Sequence, residues 1–267
     1  MSEASEVHFR AFGFTVLRGA IDSVALRLEV ERTLTETRAR SHSTPLTTFQ
    51  FAPMMTARTP CSLALVDELE ATATRLLGGV VVPIRAKGVR YSGTTRWHRD
   101  STRRLRSVGF IAYLDPLTAA TGALRVLPAS HRADAAEDVE SVVDAAANAP
   151  SDHLVAEQVL ATSPGDLIVM DEHLCHASQG GRERLQWRVD YVRVPESDAE
   201  REDLRAMVAS IFASDWDGGY DPDLAPTYDS AWLSSQRPSV ARLAALGVYE
   251  MARAQEVAMR ARRSAAP

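Results

Sequence analysis

Hydrophobic and polar positions divide the chain into three stretches of different texture. Near the start, residues 8–20 read as a short apolar strand closed by Gly19. Asp22 is placed to cap a helix running to about Arg38, with Val24, Leu26, Leu28, Val30 and Leu34 as its apolar positions. Residues 41–60 hold three prolines and many hydroxyls without a clear period, so they read as a long loop. A second helix is predicted over 62–77.

From residue 80 the pattern changes to short runs rich in Val, Ile, Leu and aromatic residues, at 80–91, 107–114, 123–127, 154–160, 166–170 and 187–194. Gly93, Pro116, Gly122, Pro128, Pro164-Gly165 and Gly180-Gly181 punctuate them. Many short strands at such spacing predict an antiparallel sandwich or barrel. A stretch of helical composition, 133–147, interrupts the series, and helical patterning returns at 199–212 and 239–262. The expected fold is mainly β with flanking helices, a jelly roll of cupin-like type. The plan is one domain over 1–267, with a core at about 80–195 and helical flanks at 21–77 and 198–262.

Composition narrows the function classes. A net charge of −5 excludes a general nucleic-acid binder. No apolar run approaches the roughly 18 residues of a membrane span, and the opening residues lack the order of a signal peptide. Two cysteines, Cys61 and Cys175, make a disulfide framework unnecessary. The expectation is a cytoplasmic protein with a small-molecule partner, without nucleic acid or membrane. Leu243, Leu246, Val248 and Met251 suit a C-terminal helix that covers the core or forms a homodimer contact. Lys87 is the only lysine beside 29 arginines, which fits the codon bias of a GC-rich genome.

Three segments carry candidate chemistry. In Trp97-His98-Arg99-Asp100, a His-x-Asp pair on an extended chain places both side chains on one face, about 6.6 Å apart. Both can reach one metal ion. The run from Pro164-Gly165-Asp166 to His176-Ala177-Ser178 launches an apolar strand that ends in a histidine, which can bring a second imidazole. Two histidines and a carboxylate on one face of an ion describe the facial triad of non-haem Fe(II) oxygenases. The third segment, Trp187-Arg188-Val189-Asp190, offers a planar guanidinium to a carboxylate.

Taken in order, His98-x-Asp100, the Gly165-Asp166 turn, His176-Ala177-Ser178 and Arg188 resemble the phytanoyl-CoA dioxygenase family. The Phe9–Leu17 stretch and the segment from Thr121-Gly122 to Ser130-His131 resemble it too, so the likeness spans about 8–195. The resemblance implies a double-stranded β-helix, with Fe(II), 2-oxoglutarate as cosubstrate, and O2. It implies His98, Asp100 and His176 as metal ligands and Arg188 as the partner of the cosubstrate's distal carboxylate. Ser178 and Thr121 are further cosubstrate contacts. The arginine lies one residue further from the histidine than is common, and Thr121 stands where asparagine is frequent. His176 rather than His173 falls in the family-like register. Because Asp100 is a carboxylate and not the small residue of related halogenases, hydroxylation or oxidative ring closure is expected. The expected substrate is a sugar-containing natural product of antibiotic or other specialised metabolism.

Around this centre, Arg96 shares the strand face of His98 and Asp100 and is a candidate for an anionic substrate. Trp97 and Trp187 are candidates to stack on a substrate ring, and His42 sits in a stretch able to close over a pocket. Two other readings use the same residues: a cupin-like metalloenzyme without 2-oxoglutarate, and a catalytically silent binding protein. Replacing Arg188 separates the first from the oxygenase, and iron stoichiometry tests the second.

Overall fold

The computed structural model describes residues 1–37, 40–44, 47–133, 141, 156–212 and 226–265. Two antiparallel sheets face each other. The larger contains β1 (Phe14–Leu17), β2 (Arg40–Ser43), β3 (Thr47–Pro53), β4 (Val81–Gly93), β6 (Ser107–Tyr113), β9 (Leu167–Asp171) and β11 (Arg184–Arg193). Their order is β1-β9-β6-β11-β4-β3-β2. The smaller runs β5-β10-β7-β8, from β5 (Thr95–His98), β10 (His176–Ser178), β7 (Leu124–Val126) and β8 (Gln158–Leu160). This is the jelly roll that the strand pattern predicts, although helices take up more of the described chain than strands.

Strand alternation divides the core in two. One face of the large sheet meets α2 (Ser23–Glu36) and α3 (Pro60–Leu77), whose Leu26, Val30, Val66 and Ala73 pack on Ile84, Trp187 and Val189. The other face, with Phe14, Ile111, Tyr113 and Ile168, closes on Leu124 and Val126 of the small sheet. Successive residues of β11 therefore face different partners. Leu185, Trp187 and Val189 enter the helix-covered core, while Arg184, Gln186 and Arg188 line the cavity between the sheets.

A bulge at Asp190/Tyr191 lets β4 carry Pro83 inside the sheet, since a proline cannot donate to the ladder. Ile84, skipped in that register, has its carbonyl capped by the Tyr228 hydroxyl.

Three sequence expectations change. Residues 8–12 belong to a helix, α1 (Glu3–Phe12), capped by Ser2 and ended by Gly13 at φ 82°; the strand starts only at Phe14. The 41–60 loop contains the β2–β3 hairpin, whose alternation hydroxyl-rich residues disguise. The long C-terminal helix is two, α6 (Pro238–Ala245) and α7 (Val248–Ala265), broken at Gly247 with φ 67°. Between the sandwich and these lie α4 (Asp198–Phe212) and the single turn α5 (Ser230–Leu233). Leu243 and Val248 are buried within the chain's own core. Most of the predicted 133–147 helix lies outside the described residues. Asp22 caps α2 as expected, accepting from the Val24 amide at 3.0 Å. No described helix is long and apolar enough to cross a membrane.

Candidate metal centre and its cavity

β10 runs between β5 and β7, so His176 pairs with His98 on one side and Val126 on the other. That register brings the two imidazoles together, with ring centroids 4.3 Å apart and planes tilted by 50°. β5 ends at His98, and the bend that follows returns Asp100 to the same site. The Asp100 carboxylate lies 3.6 Å from each Nε2, one oxygen to each ring. Ligand atoms of His98, Asp100 and His176 all fall within 4.8 Å of one another, the one such cluster among the described residues.

Hydrogen bonding fixes which nitrogen is free. His98 Nδ1 meets the Arg96 carbonyl at 2.8 Å and His176 Nδ1 meets the Leu174 carbonyl at 2.9 Å. A carbonyl only accepts, so each Nδ1 carries the proton and each Nε2 turns its lone pair toward Asp100, the arrangement that metal-ligating histidines need. Burial drives the pKa of His176 down to about 4, which keeps it neutral. Burial also works against the charged form of His98, but the hydrogen bond and charge of Asp100 outweigh it and raise its pKa. Burial pushes Asp100 up, yet Arg188, His176 and His98 together hold it well below the ordinary carboxylate range. The neutral imidazole of His176, the imidazole of His98 and one carboxylate on one side fit a divalent transition metal with open positions, which would stand where the proton shared by His98 and Asp100 lies.

The centre forms part of the wall of a cavity of about 750 Å³ between the sheets. Phe49, Tyr91 and Tyr113 give it aromatic surface, and Thr47, Thr94, Thr95, Ser178 and Gln186 give it hydrogen-bonding groups.

Arg188 reaches this cavity but is heavily engaged. Its guanidinium binds Asp100 at 2.8 Å, Glu172 at 2.8 Å, and Asp190. Gly109 makes room for it, since a Cβ there would stand 3.1 Å from Nη2. Burial and the neighbouring Asp190 raise the Glu172 pKa to about 7 against the pull of Arg188.

Four residues that the sequence patterns left aside also belong here. Arg184 opens β11 and lines the cavity, with Tyr91 beneath its guanidinium at 4.4 Å. Its two terminal nitrogens donate to the carbonyls of Gly122 and Gly93, and no carboxylate pairs with it among the described residues. Lys87, opposite Arg188 on β4, lines the same wall. Tyr91 donates to or accepts from Thr95 at 2.6 Å, next to Ser178, whose hydroxyl meets Thr95 at 3.3 Å. Glu172 completes the set. The legible signal was a polar residue at every second position in strands otherwise apolar: Arg85 and Lys87, then Arg184, Gln186, Arg188 and Asp190.

Other candidates fall elsewhere. Arg96 lines the cavity with His98, as strand parity predicts. Trp97 does not line it. Trp187 is fully buried on the opposite face of β11, where its indole donates to Ser62 at 2.7 Å, so it is a packing residue and not a substrate contact. Thr121 is outside the cavity lining; its hydroxyl accepts from the Thr118 amide at 2.8 Å. His173 is held by Asp171 at 2.9 Å and the Arg103 carbonyl at 2.6 Å, away from the cluster. His42 falls on β2 opposite Phe49, and its side chain lies outside the described residues.

A jelly roll with a His-x-Asp…His cluster facing an inter-sheet cavity defines the class of cupin-fold proteins with a candidate metal centre. More narrowly, the family model described as phytanoyl-CoA dioxygenase (PhyH) matches residues 9–184, and the chain belongs to that family. No curated protein matches it. Several solved structures share the fold. One is HygX from Streptomyces hygroscopicus with nickel and 2-oxoglutarate bound, at 18% identity and a TM-score of 0.55, covering 72% of this chain and 87% of that one. AviO1 from Streptomyces viridochromogenes Tue57 reaches 21% and 0.57, covering 73% and 96%. SnoN, a non-haem α-ketoglutarate-dependent epimerase from nogalamycin biosynthesis, reaches 14% and 0.57, covering 72% and 83%.

Proposed function

We propose that the chain is an Fe(II)- and 2-oxoglutarate-dependent dioxygenase that hydroxylates a small molecule or closes a ring in it by oxidation. The observation that carries this reading is the convergence of two Nε2 lone pairs and one carboxylate on the cavity between the sheets. His98, Asp100 and His176 would hold the iron. That ion supplies the redox step, coupling decarboxylation of the 2-oxo acid to oxidation of a substrate C–H bond with O2 as oxidant.

The residues around the iron bind and orient. In this reading Arg188 holds Asp100 in place, because three carboxylates already neutralise it. The cosubstrate's distal carboxylate goes to Arg184, eight residues after His176 rather than twelve. Arg184 is a buried cation without a counter-charge, a costly arrangement that an incoming anion relieves. Ser178 and Thr95 line the same cavity from the small sheet to share that carboxylate. The shorter spacing reflects the tight Gly180-Gly181 connection between β10 and β11, with φ values of 64° and 85°.

A natural-product substrate, in cytoplasmic antibiotic or other specialised metabolism, is supported by the company of folds: HygX has been solved with hygromycin B, and SnoN belongs to nogalamycin biosynthesis. The test is 2-oxoglutarate affinity of the nickel-loaded chain under anaerobic conditions. Arg184→Gln is expected to weaken it by roughly 10- to 100-fold, the loss of a charge-assisted contact of about 1.5–3 kcal/mol. Unchanged affinity in that variant would return the role to Arg188.

A further inference from the structure

The cavity holds more positive charge than the proposed reaction uses. Arg188 and Arg85 are matched by Glu172 and Asp190. In the proposed reading a metal dication, Asp100, the cosubstrate dianion and Arg184 sum to zero. Lys87 and Arg96 are left over. Both line the cavity, and among the described residues neither side chain makes an ion pair or a hydrogen bond. They approach the metal centre from opposite sheets. Lys87 lies on β4 in register with Arg188, and Arg96 lies on β5 two residues before His98.

Each cation has a local reason to lack a partner. The carboxylate nearest Lys87 along its sheet, Asp190, is taken by Arg85 at 3.0 Å and by Arg188. The Asp100 carboxylate is occupied by Arg188 and the two imidazoles. Burial, with Arg85 and Arg188 nearby, lowers the Lys87 pKa to about 7, so an anion beside it would restore its ordinary charge. The residue type is also informative. In a chain that uses arginine 29 times, position 87 carries a slim ammonium, a point charge suited to a non-planar oxyanion rather than to fork-like pairing. The aromatic surface of Phe49 and Tyr113 lies on the same cavity and suits the organic part of the ligand.

We propose that the substrate carries an acidic group, a phosphate or a carboxylate, received between Lys87 and Arg96 at the metal end of the cavity. This rests on the oxygenase reading and specifies its substrate class.

The experiment is calorimetric titration of the nickel- and 2-oxoglutarate-loaded chain with phenyl phosphate, benzoate and benzyl alcohol as probes. An acidic probe is expected to bind at least about 10-fold more tightly than the alcohol, and the tighter acid identifies the group. Lys87→Met and Arg96→Gln should each remove most of that preference while leaving the alcohol's affinity unchanged, which also shows that the variants fold. Lys87→Arg should retain part of it. Equal binding of acid and alcohol, a preference that survives both substitutions, or no binding of either acid would overturn the proposal. If the chain takes up no 2-oxoglutarate, the oxygenase reading fails by itself. The acid preference is then scored on the nickel form, where its loss on Lys87→Met keeps the anion site and its absence ends it.

Discussion

At the residue scale, the two histidines receive the same backbone hydrogen bond but different solvent. The His176 side chain is 6% exposed and that of His98 is 40% exposed, so the centre is shielded on one side and open to the cavity on the other. That asymmetry suits a site where ligands arrive from one direction. These ligands were legible in the sequence because their spacing is itself the chemistry, although a bend after β5, and not a strand step, brings Asp100 beside His98, and His176 opens β10 where the sequence pattern placed it at the end of the preceding apolar strand. The pairing of Arg188 with Glu172 was not, because Glu172 follows the end of β9 and only the sheet order brings it beside β11, whereas Asp190 sits two residues along the same strand. Glu172 gives a pH prediction with a definite sign. Its folded pKa of about 7 lies above the usual carboxylate value, so over that interval the folded state holds a proton the unfolded state has lost. Its contribution to stability is present at acidic pH and declines as pH rises toward 7. In urea melts of the metal-free protein, Glu172→Gln should therefore gain stability relative to wild type between about pH 4.5 and 7. A constant difference across that range would contradict the assignment.

At the element scale, the tight turns at the closed end of the cavity position Arg184. Gly122 follows the short 3-10 turn Ala119–Thr121 at φ 89°, and a Cβ there would stand 2.7 Å from both an Arg184 nitrogen and the Gly180 carbonyl. Gly78 ends α3 at φ 69° with its nearest neighbour, Arg106, at 3.9 Å. Gly122→Ala and Gly78→Ala should thus share a backbone cost of about 1–2 kcal/mol, read from denaturant midpoints. Only Gly122→Ala should also weaken 2-oxoglutarate binding, by about 10-fold or more, because it displaces the guanidinium. Equal affinities in the two variants would separate the turn from the site. The same scale explains what sequence patterning missed. The β2–β3 hairpin opens with polar residues in both strands, and its apolar alternation, Phe49-Gln50-Phe51, is too short to announce a strand. Residues 8–12 look strand-like because they run into β1, whereas the helix is set by the Ser2 cap and the Gly13 stop.

At the scale of the whole molecule, the helix-backed sheet and the sandwich interior are two separate hydrophobic cores sharing the strands β6 and β9, while β4 and β11 turn their inner faces to the cavity. This lets the inner faces of those strands carry Lys87, Arg184 and Arg188 while the outer faces bury Ile84, Trp187 and Val189. The jelly roll was legible from the short apolar runs, although four of the eleven described strands, β2, β3, β5 and β10, lie outside them. The strand order was not, because it depends on pairings such as β1 with β9 that span most of the chain. The central claim is that this architecture exists to present one metal and one 2-oxo acid to the cavity. Anaerobic titration of the metal-free chain with Fe(II) and then 2-oxoglutarate, followed by visible absorption, tests it most directly. The account predicts a charge-transfer band with one iron and one 2-oxoglutarate per chain, absent in His176→Ala. Iron binding without that band would contradict the use of 2-oxoglutarate, and no iron binding would contradict the metal centre itself.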